Sequence, residues 1–197
     1  DDLFLSGVNH LFYHGTCYSP DDAPWPGWQF YASFEMSPRN SIWRDVSALN
    51  AYATRCQSVL QSGRPDADVL VYWPIHDVWT DPEGTTNQMT VHVREWFDGQ
   101  PIGRLARRLD AAGYAFDYVS DRQLAGARPH AVGVEIQGAV YRRIVVPRCT
   151  HMPEATLRTL ASLPGRVVFE GGPPVRPPGL GATPAALAAF SELAARI

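Results

Sequence analysis

The sequence predicts an α/β protein whose main sheet is parallel, and three observations carry that reading. From Asp68 onward, short apolar runs alternate with stretches whose apolar residues recur at helical spacing. The runs are continuously apolar instead of alternating with polar residues, as in strands covered on both faces. Three of the four runs also stop at a breaker: Pro74, Pro147 or the Gly171-Gly172-Pro173-Pro174 sequence.

The elements follow in order. Residues 7–13 form a short apolar run that ends in His14-Gly15-Thr16 and read as a buried strand. A loop follows over residues 16–40, with Pro20, Pro24, Pro26 and Pro38. It also holds Trp25, Trp28, Phe30, Tyr31 and Phe34, too many aromatics for a disordered segment. A helix begins near Ser41, because Ile42, Val46, Leu49, Ala53, Cys56 and Leu60 step by three and four. Asn40 or Ser41 can cap it, and Gly63 lies just past its end.

Residues 69–73 are the next strand. Ile102, Leu105, Ala106 and Leu109 then mark a helix ending at Gly113, and residues 115–119 a second strand. Residues 140–146 read as a third strand, with residues 133–136 as its hairpin partner. Pro153 opens a helix through Leu157, Leu160 and Leu163 to Gly165. Residues 167–170 are a fourth strand, and Thr183 caps a last helix starting at Pro184. The architecture expected is an open flavodoxin-like three-layer sandwich over residues 66–197. Residues 1–65 read as the last strand, loop and helix of a (β/α) barrel.

Composition narrows the function. The chain has 197 residues, 45% of them hydrophobic, which suits a globular core. Its net charge of −3 offers no basic surface, so neither nucleic acid nor a membrane is an expected partner. All 17 basic residues are arginine, which no physical requirement explains and which fits a GC-rich gene. No run approaches the roughly 20 apolar residues of a membrane span. The absence of an initiator Met and of a signal-peptide core leads us to expect a piece of a longer protein. Cys17, Cys56 and Cys149 are odd in number and widely spaced, which suggests neither a disulfide framework nor a zinc site.

Several sequence stretches together resemble glycoside hydrolase family 106, the α-L-rhamnosidases. They are residues 7–20, Trp25-Pro26-Gly27-Trp28, Trp43-Arg44-Asp45 and Leu49-Asn50-Ala51-Tyr52. Residues 68–77, 116–121, 145–153 and 169–171 carry the same likeness onward, over nearly the whole chain. The resemblance implies an inverting, multidomain enzyme with two catalytic glutamates and a bound calcium on its barrel, upstream of the strand at His14. It implies that the second region is the flavodoxin-like domain following the barrel. A bacterial, periplasmic or secreted location, a carbohydrate substrate and the remainder of the barrel as partner are further implications. An oligomer stays open, and this chain itself is expected to hold no cofactor and no metal.

The residues then sort into candidates. His14 stands at a strand end beside a glycine, where a ligand can come close. Tyr18, Trp25 and Trp28 can stack on sugar rings, so these four are the expected substrate-binding residues, while Trp43 reads as core. Glycosidases need two carboxyls flanking the bond. Glu35 is the only glutamate before residue 83, and Asp21-Asp22 reads as a solvated turn, so no residue here is assigned as catalytic. Cys149-Thr150-His151 suggests an amidotransferase-like cysteine hydrolase, but Pro147, Arg148 and Thr150 provide none of the small residues a nucleophile elbow needs. His76-Asp77 reads as packing, since adjacent residues of an extended segment point apart. Gly171-Gly172 lacks dinucleotide-fingerprint spacing. The alternatives to a glycosidase piece are that cysteine hydrolase and a non-catalytic flavodoxin-like structural or assembly module.

Overall fold

The computed structural model describes residues 1–86 and 95–197 and divides the chain into two units, residues 1–64 and residues 65–197. In the first, a single helical turn, α1 (Asp2–Leu5), precedes a long helix, α2 (Trp43–Ser62). Helix α2 has neither glycine nor proline in its 20 residues. Its entry is fixed by Asn40, whose side-chain oxygen accepts the Ile42 N–H at 3.0 Å. Of the predicted apolar stripe, only Val46 and Ala53 are buried, whereas Ile42, Leu49 and Leu60 are exposed.

Residues 7–13 are neither a strand nor buried, which corrects the sequence expectation. They run along α2 and bond to its side chains. Gln61 Nε2 donates to the Asn9 carbonyl at 2.6 Å, Gln57 Oε1 accepts the Leu11 N–H, and the Tyr13 hydroxyl donates to Asn50 Oδ1 at 2.8 Å. A strand needs a neighbouring strand to pair its backbone, and among the described residues of this unit there is none.

The second unit pairs its apolar runs in parallel. The sheet contains β1 (Val69–Tyr72), β2 (Phe116–Val119), β6 (Arg143–Val146) and β7 (Val167–Phe169), in the order β2-β1-β6-β7. Between β1 and β2 lie the short helices α3 (Ile75–Thr80) and α4 (Glu95–Asp98) and the longer α5 (Pro101–Ala111). After β2 come α6 (Asp121–Leu124) and an antiparallel meander, β3 (Arg128–His130), β4 (Gly133–Ile136) and β5 (Ala139–Tyr141). Helices α7 (Glu154–Ala161) and α8 (Pro184–Ala194) complete the unit.

Strand periodicity splits β1 between two cores. Leu70 and Tyr72 face a cluster with Ile144, Leu157, Leu160 and Phe190, so α7 and α8 cover that side. Val69 and Val71 face Ile102 and Leu105 of α5. The result is a three-layer α/β arrangement with a mainly parallel sheet, as the sequence predicts.

One strand differs. Residues 140–146 are two strands instead of one, parted at Arg142. The Arg142 N–H turns to the Asp68 carbonyl at 2.8 Å, and its guanidinium pairs with the Asp68 carboxylate at 2.8 Å. This break lets β5 remain with β4, as the predicted hairpin, while β6 joins β1. Gly133, opening β4, sits so close to β5 that a Cβ would meet the Tyr141 carbonyl at 1.9 Å.

Candidate functional site

The parallel strands point their carboxyl ends at one edge, and the strand order reverses between β1 and β6, with β2 added on one side of β1 and β6 on the other. In open α/β sheets ligands bind at such a switch point. The segment leaving β1 passes Pro74 and turns into α3, which carries His76 and Asp77. The segment leaving β6 carries Cys149, Thr150 and His151. Between them the structure forms two imidazole–carboxylate pairs.

In the first pair, His76 Nε2 meets Asp121 Oδ2 at 3.1 Å. Asp121 begins α6, whose capping box fixes it: Ser120 Oγ accepts the Gln123 N–H, and Gln123 Oε1 accepts the Ser120 N–H at 2.9 Å. Asp121 Oδ1 also accepts the Tyr72 hydroxyl at 2.8 Å and the Thr156 hydroxyl at 2.6 Å. Burial, then the neighbouring Asp121 carboxylate, pushes the Tyr72 hydroxyl far above the ordinary phenol range, so it remains a donor.

In the second pair, His151 Nδ1 meets Asp77 Oδ1 at 2.9 Å. The same carboxylate accepts the backbone N–H groups of Thr150 at 2.8 Å and His151 at 2.7 Å. Because α3 is a helix, adjacent residues His76 and Asp77 serve two different partners, 45 and 74 positions away. The expectation of an extended segment is therefore corrected: α3 is helical, and each of the two residues takes part in its own imidazole–carboxylate pair. Both histidines line a cavity of about 710 Å³ with Trp79, Thr80 and Arg176.

Cys149 lies beside these pairs but takes no nucleophile's form. It is buried, and burial, then Asp77 and Asp121, push its thiol up to about 12. A thiolate is the reactive species, so this cysteine is inert at neutral pH. Thiol reagents at pH 7.5 should label the half-buried Cys17 and Cys56 well before Cys149. The raised value also has a stability consequence. Below the ordinary thiol value near 9 neither state loses the proton. Between there and about 12 the unfolded chain loses it and the folded chain does not, so stability falls as pH rises. The slope approaches about 1.4 kcal/mol per pH unit for a fully separated group. Cys149→Ala should flatten that loss in urea melts at pH 9–11, and an unchanged slope would show that the thiol titrates normally.

The residues expected to bind substrate lie in the first unit, on or beside the aromatic loop. Arg39 holds this loop: Nη1 donates to the Ala23 carbonyl and Nη2 to the Pro20 carbonyl, both at 2.7 Å. Trp25 Nε1 donates to the Arg39 carbonyl at 3.0 Å, and the Trp28 N–H to Ser19 Oγ at 2.8 Å. Gly27 between them has φ +94°, and a Cβ there would meet Ser19 Oγ at 2.6 Å. Glu35 Oε1 accepts the Phe30 N–H at 3.1 Å, a structural use of that carboxylate. With the backbone so held, the rings stay open: Tyr18 is 94%, Trp25 76% and Trp28 63% exposed. His14 is exposed and stacks on Phe30 with ring centroids 6.4 Å apart. Trp43, expected in the core, is 42% exposed, since nothing in its unit covers that side of α2. Among the described residues, no group of three or more His, Cys, Asp or Glu side chains could hold a metal ion.

Comparison with known proteins adds the following. A family model described as α-L-rhamnosidase, glycoside hydrolase family 106, matches residues 1–197. No curated protein matches. Among solved structures, the crystal structure of a β-galactosidase from Bifidobacterium adolescentis is similar at 17% identity, with a TM-score of 0.38. The likeness covers 66% of this chain and 55% of that one.

Proposed function

This chain belongs to glycoside hydrolase family 106, and we propose that it is a piece of an inverting α-L-rhamnosidase acting on rhamnose-containing glycans or glycosides. Residues 1–65 supply the end of the catalytic barrel, and residues 66–197 the flavodoxin-like domain that follows it. The observation that carries the reading, beside the family, is the aromatic loop. Its backbone is held by Arg39, Trp25, Ser19 and Gly27, yet its rings are left uncovered. A segment organised to that degree with open rings suits a sugar-binding rim.

His14, Tyr18, Trp25 and Trp28 are the residues of this rim. The indoles and the phenol offer flat apolar faces to the C–H side of a sugar ring, while the His14 imidazole can hydrogen-bond a hydroxyl. The acid and base carboxyls of inversion lie on the rest of the barrel, as does any calcium, and no step runs through a metal on this chain. Its location is bacterial periplasm or outside the cell.

The test has two arms. Residues 1–197 alone should not hydrolyse a nitrophenyl α-L-rhamnoside above blank, and turnover lost on substituting one of its own carboxylates would overturn the assignment. In the longer enzyme, His14→Ala should lower kcat/KM by roughly ten- to a hundredfold, the value of one hydrogen bond to a buried polar group. Its Tm should stay within a few degrees. Full activity, or a loss that only follows unfolding, would place His14 among structural residues.

A further inference from the structure

The cavity at the carboxyl edge of the parallel sheet is chemically one-sided. Among the described residues its polar lining is His76, His151, Thr80 and the exposed Arg176, and no Asp or Glu lines it. The two carboxylates nearby are consumed behind the imidazoles. Asp121 already receives three side-chain donors, and Asp77 receives two backbone N–H groups and an imidazole. Each pair also fixes a tautomer. His76 gives its Nε2 proton to Asp121 and His151 its Nδ1 proton to Asp77, which leaves His76 Nδ1 and His151 Nε2 without a partner among the described residues.

Arg176 is placed beside them by backbone. Its N–H donates to the Thr150 carbonyl at 3.1 Å, and its carbonyl accepts the Met152 N–H at 3.1 Å, so it brackets His151 in an isolated parallel bridge. Among the described residues its guanidinium has neither an ion pair nor a hydrogen bond. The remaining wall is apolar: Trp79, which packs edge-on against His76 at 5.5 Å between centroids, faces Pro177, Pro178 and Leu187.

From this arrangement the geometry points to a binding site for a small organic oxyanion, a carboxylate or phosphate group carried on an apolar or ring-shaped body. Arg176 supplies the fixed charge and a planar donor fork for the acid group. The two imidazoles, oriented by their carboxylates, accept or donate at its edge, and the Trp79–proline wall takes the body. Among the described residues the lining holds no carboxylate to balance the Arg176 charge, which favours an anionic ligand over a neutral one. It is not a hydrolytic centre: Cys149 is a protonated buried thiol, and the Thr80 hydroxyl is already spent on the His76 and Asp77 carbonyls at 2.9 and 3.1 Å. The site does not depend on the glycosidase reading, since none of its residues belongs to the aromatic loop.

Three probes on the full chain test it, with the imidazole NMR signals of His76 and His151 as readout: benzoate, phenyl phosphate and their neutral counterpart benzyl alcohol. At least one acid should shift both imidazoles saturably, with a dissociation constant on the order of 1 mM or tighter, while benzyl alcohol should not. Saturation by benzoate alone assigns a carboxylate, by phenyl phosphate alone a phosphate, and by both the shared acid chemistry. Arg176→Gln should weaken binding by roughly tenfold or more, and Arg196→Gln, at an exposed arginine outside the cavity lining, should leave it unchanged. The assignment is overturned if neither acid saturates, if benzyl alcohol binds as well, or if the two arginine variants behave alike. The imidazole shifts of the unmodified chain decide the matter even if Arg176→Gln unfolds.

Discussion

Asp121→Ala should destabilise the C-terminal unit by about 2–4 kcal/mol, since it strands several donors at once and each unsatisfied buried group costs about 1–3 kcal/mol. Tyr72 is wholly buried and Thr156 nearly so, and both hydroxyls end on this carboxylate. His76 loses the partner that orients its ring, and the partly exposed side of the carboxylate tempers the total. In a domain of this size about 1 kcal/mol moves Tm by roughly 3–5 °C, so the variant should melt roughly 6–20 °C lower. Asp121→Asn retains one acceptor oxygen but turns a donor toward the others, and should fall between. Thermal melts followed by circular dichroism read the difference. A Tyr72→Phe, Thr156→Val double variant removes two of the stranded donors, so adding it to Asp121→Ala should recover part of the loss. If Asp121→Ala melts within 2 °C of the parent, the carboxylate is not the hub that its three donors make it.

The strands of this unit are legible in the sequence because covered strands leave unbroken apolar runs, and 69–72 and 144–146 carry nothing else. The break at Arg142 is not legible, since it depends on Asp68, seventy-odd positions earlier, offering both a carbonyl and a carboxylate. The candidate site divides in the same way. Ser120 and Gln123 are a capping-box signature that announces a helix opening with Asp121, so one half of the His76 pair had a local signal. His76 and Asp77 had none. In a strand they would point apart with a single useful side chain, and only the helical turn after Pro74 sends one to Asp121 and the other to His151. Residues 7–13 show the opposite error. Their apolarity is real, but it fixes only that they be covered, and what they find within this chain is the polar side of α2.

Residues 65–197 should fold by themselves, and residues 1–64 should not. The difference lies in what each part covers. Nearly all of the buried apolar residues belong to the C-terminal unit, in the two clusters on either face of its sheet. Fully burying a side chain of leucine or phenylalanine size contributes about 1.5–3 kcal/mol, and that unit has many, among them Leu124, Met152, Leu157, Leu160 and Phe190. Residues 1–64 bury one valine and one alanine, Val46 and Ala53, with Phe12, Tyr18, Trp25, Trp28 and Tyr31 left open. Those two side chains cannot offset a backbone ordering cost of about 1–2 kcal/mol per residue. The side-chain bonds from Gln57, Gln61 and Asn50 to residues 9–13, being exposed or half-exposed, add little against water. A polypeptide of residues 65–197 should therefore unfold in a single cooperative transition by heat and by urea, with coincident midpoints from fluorescence and circular dichroism. Residues 1–64 should show a gradual, non-cooperative loss of helix and bind an apolar dye, because α2 has no face to rest on without the rest of its domain. A sharp transition in residues 1–64 would mean that the aromatic loop and α2 form a self-sufficient core. A molten C-terminal polypeptide would mean that its three layers need the N-terminal residues to close.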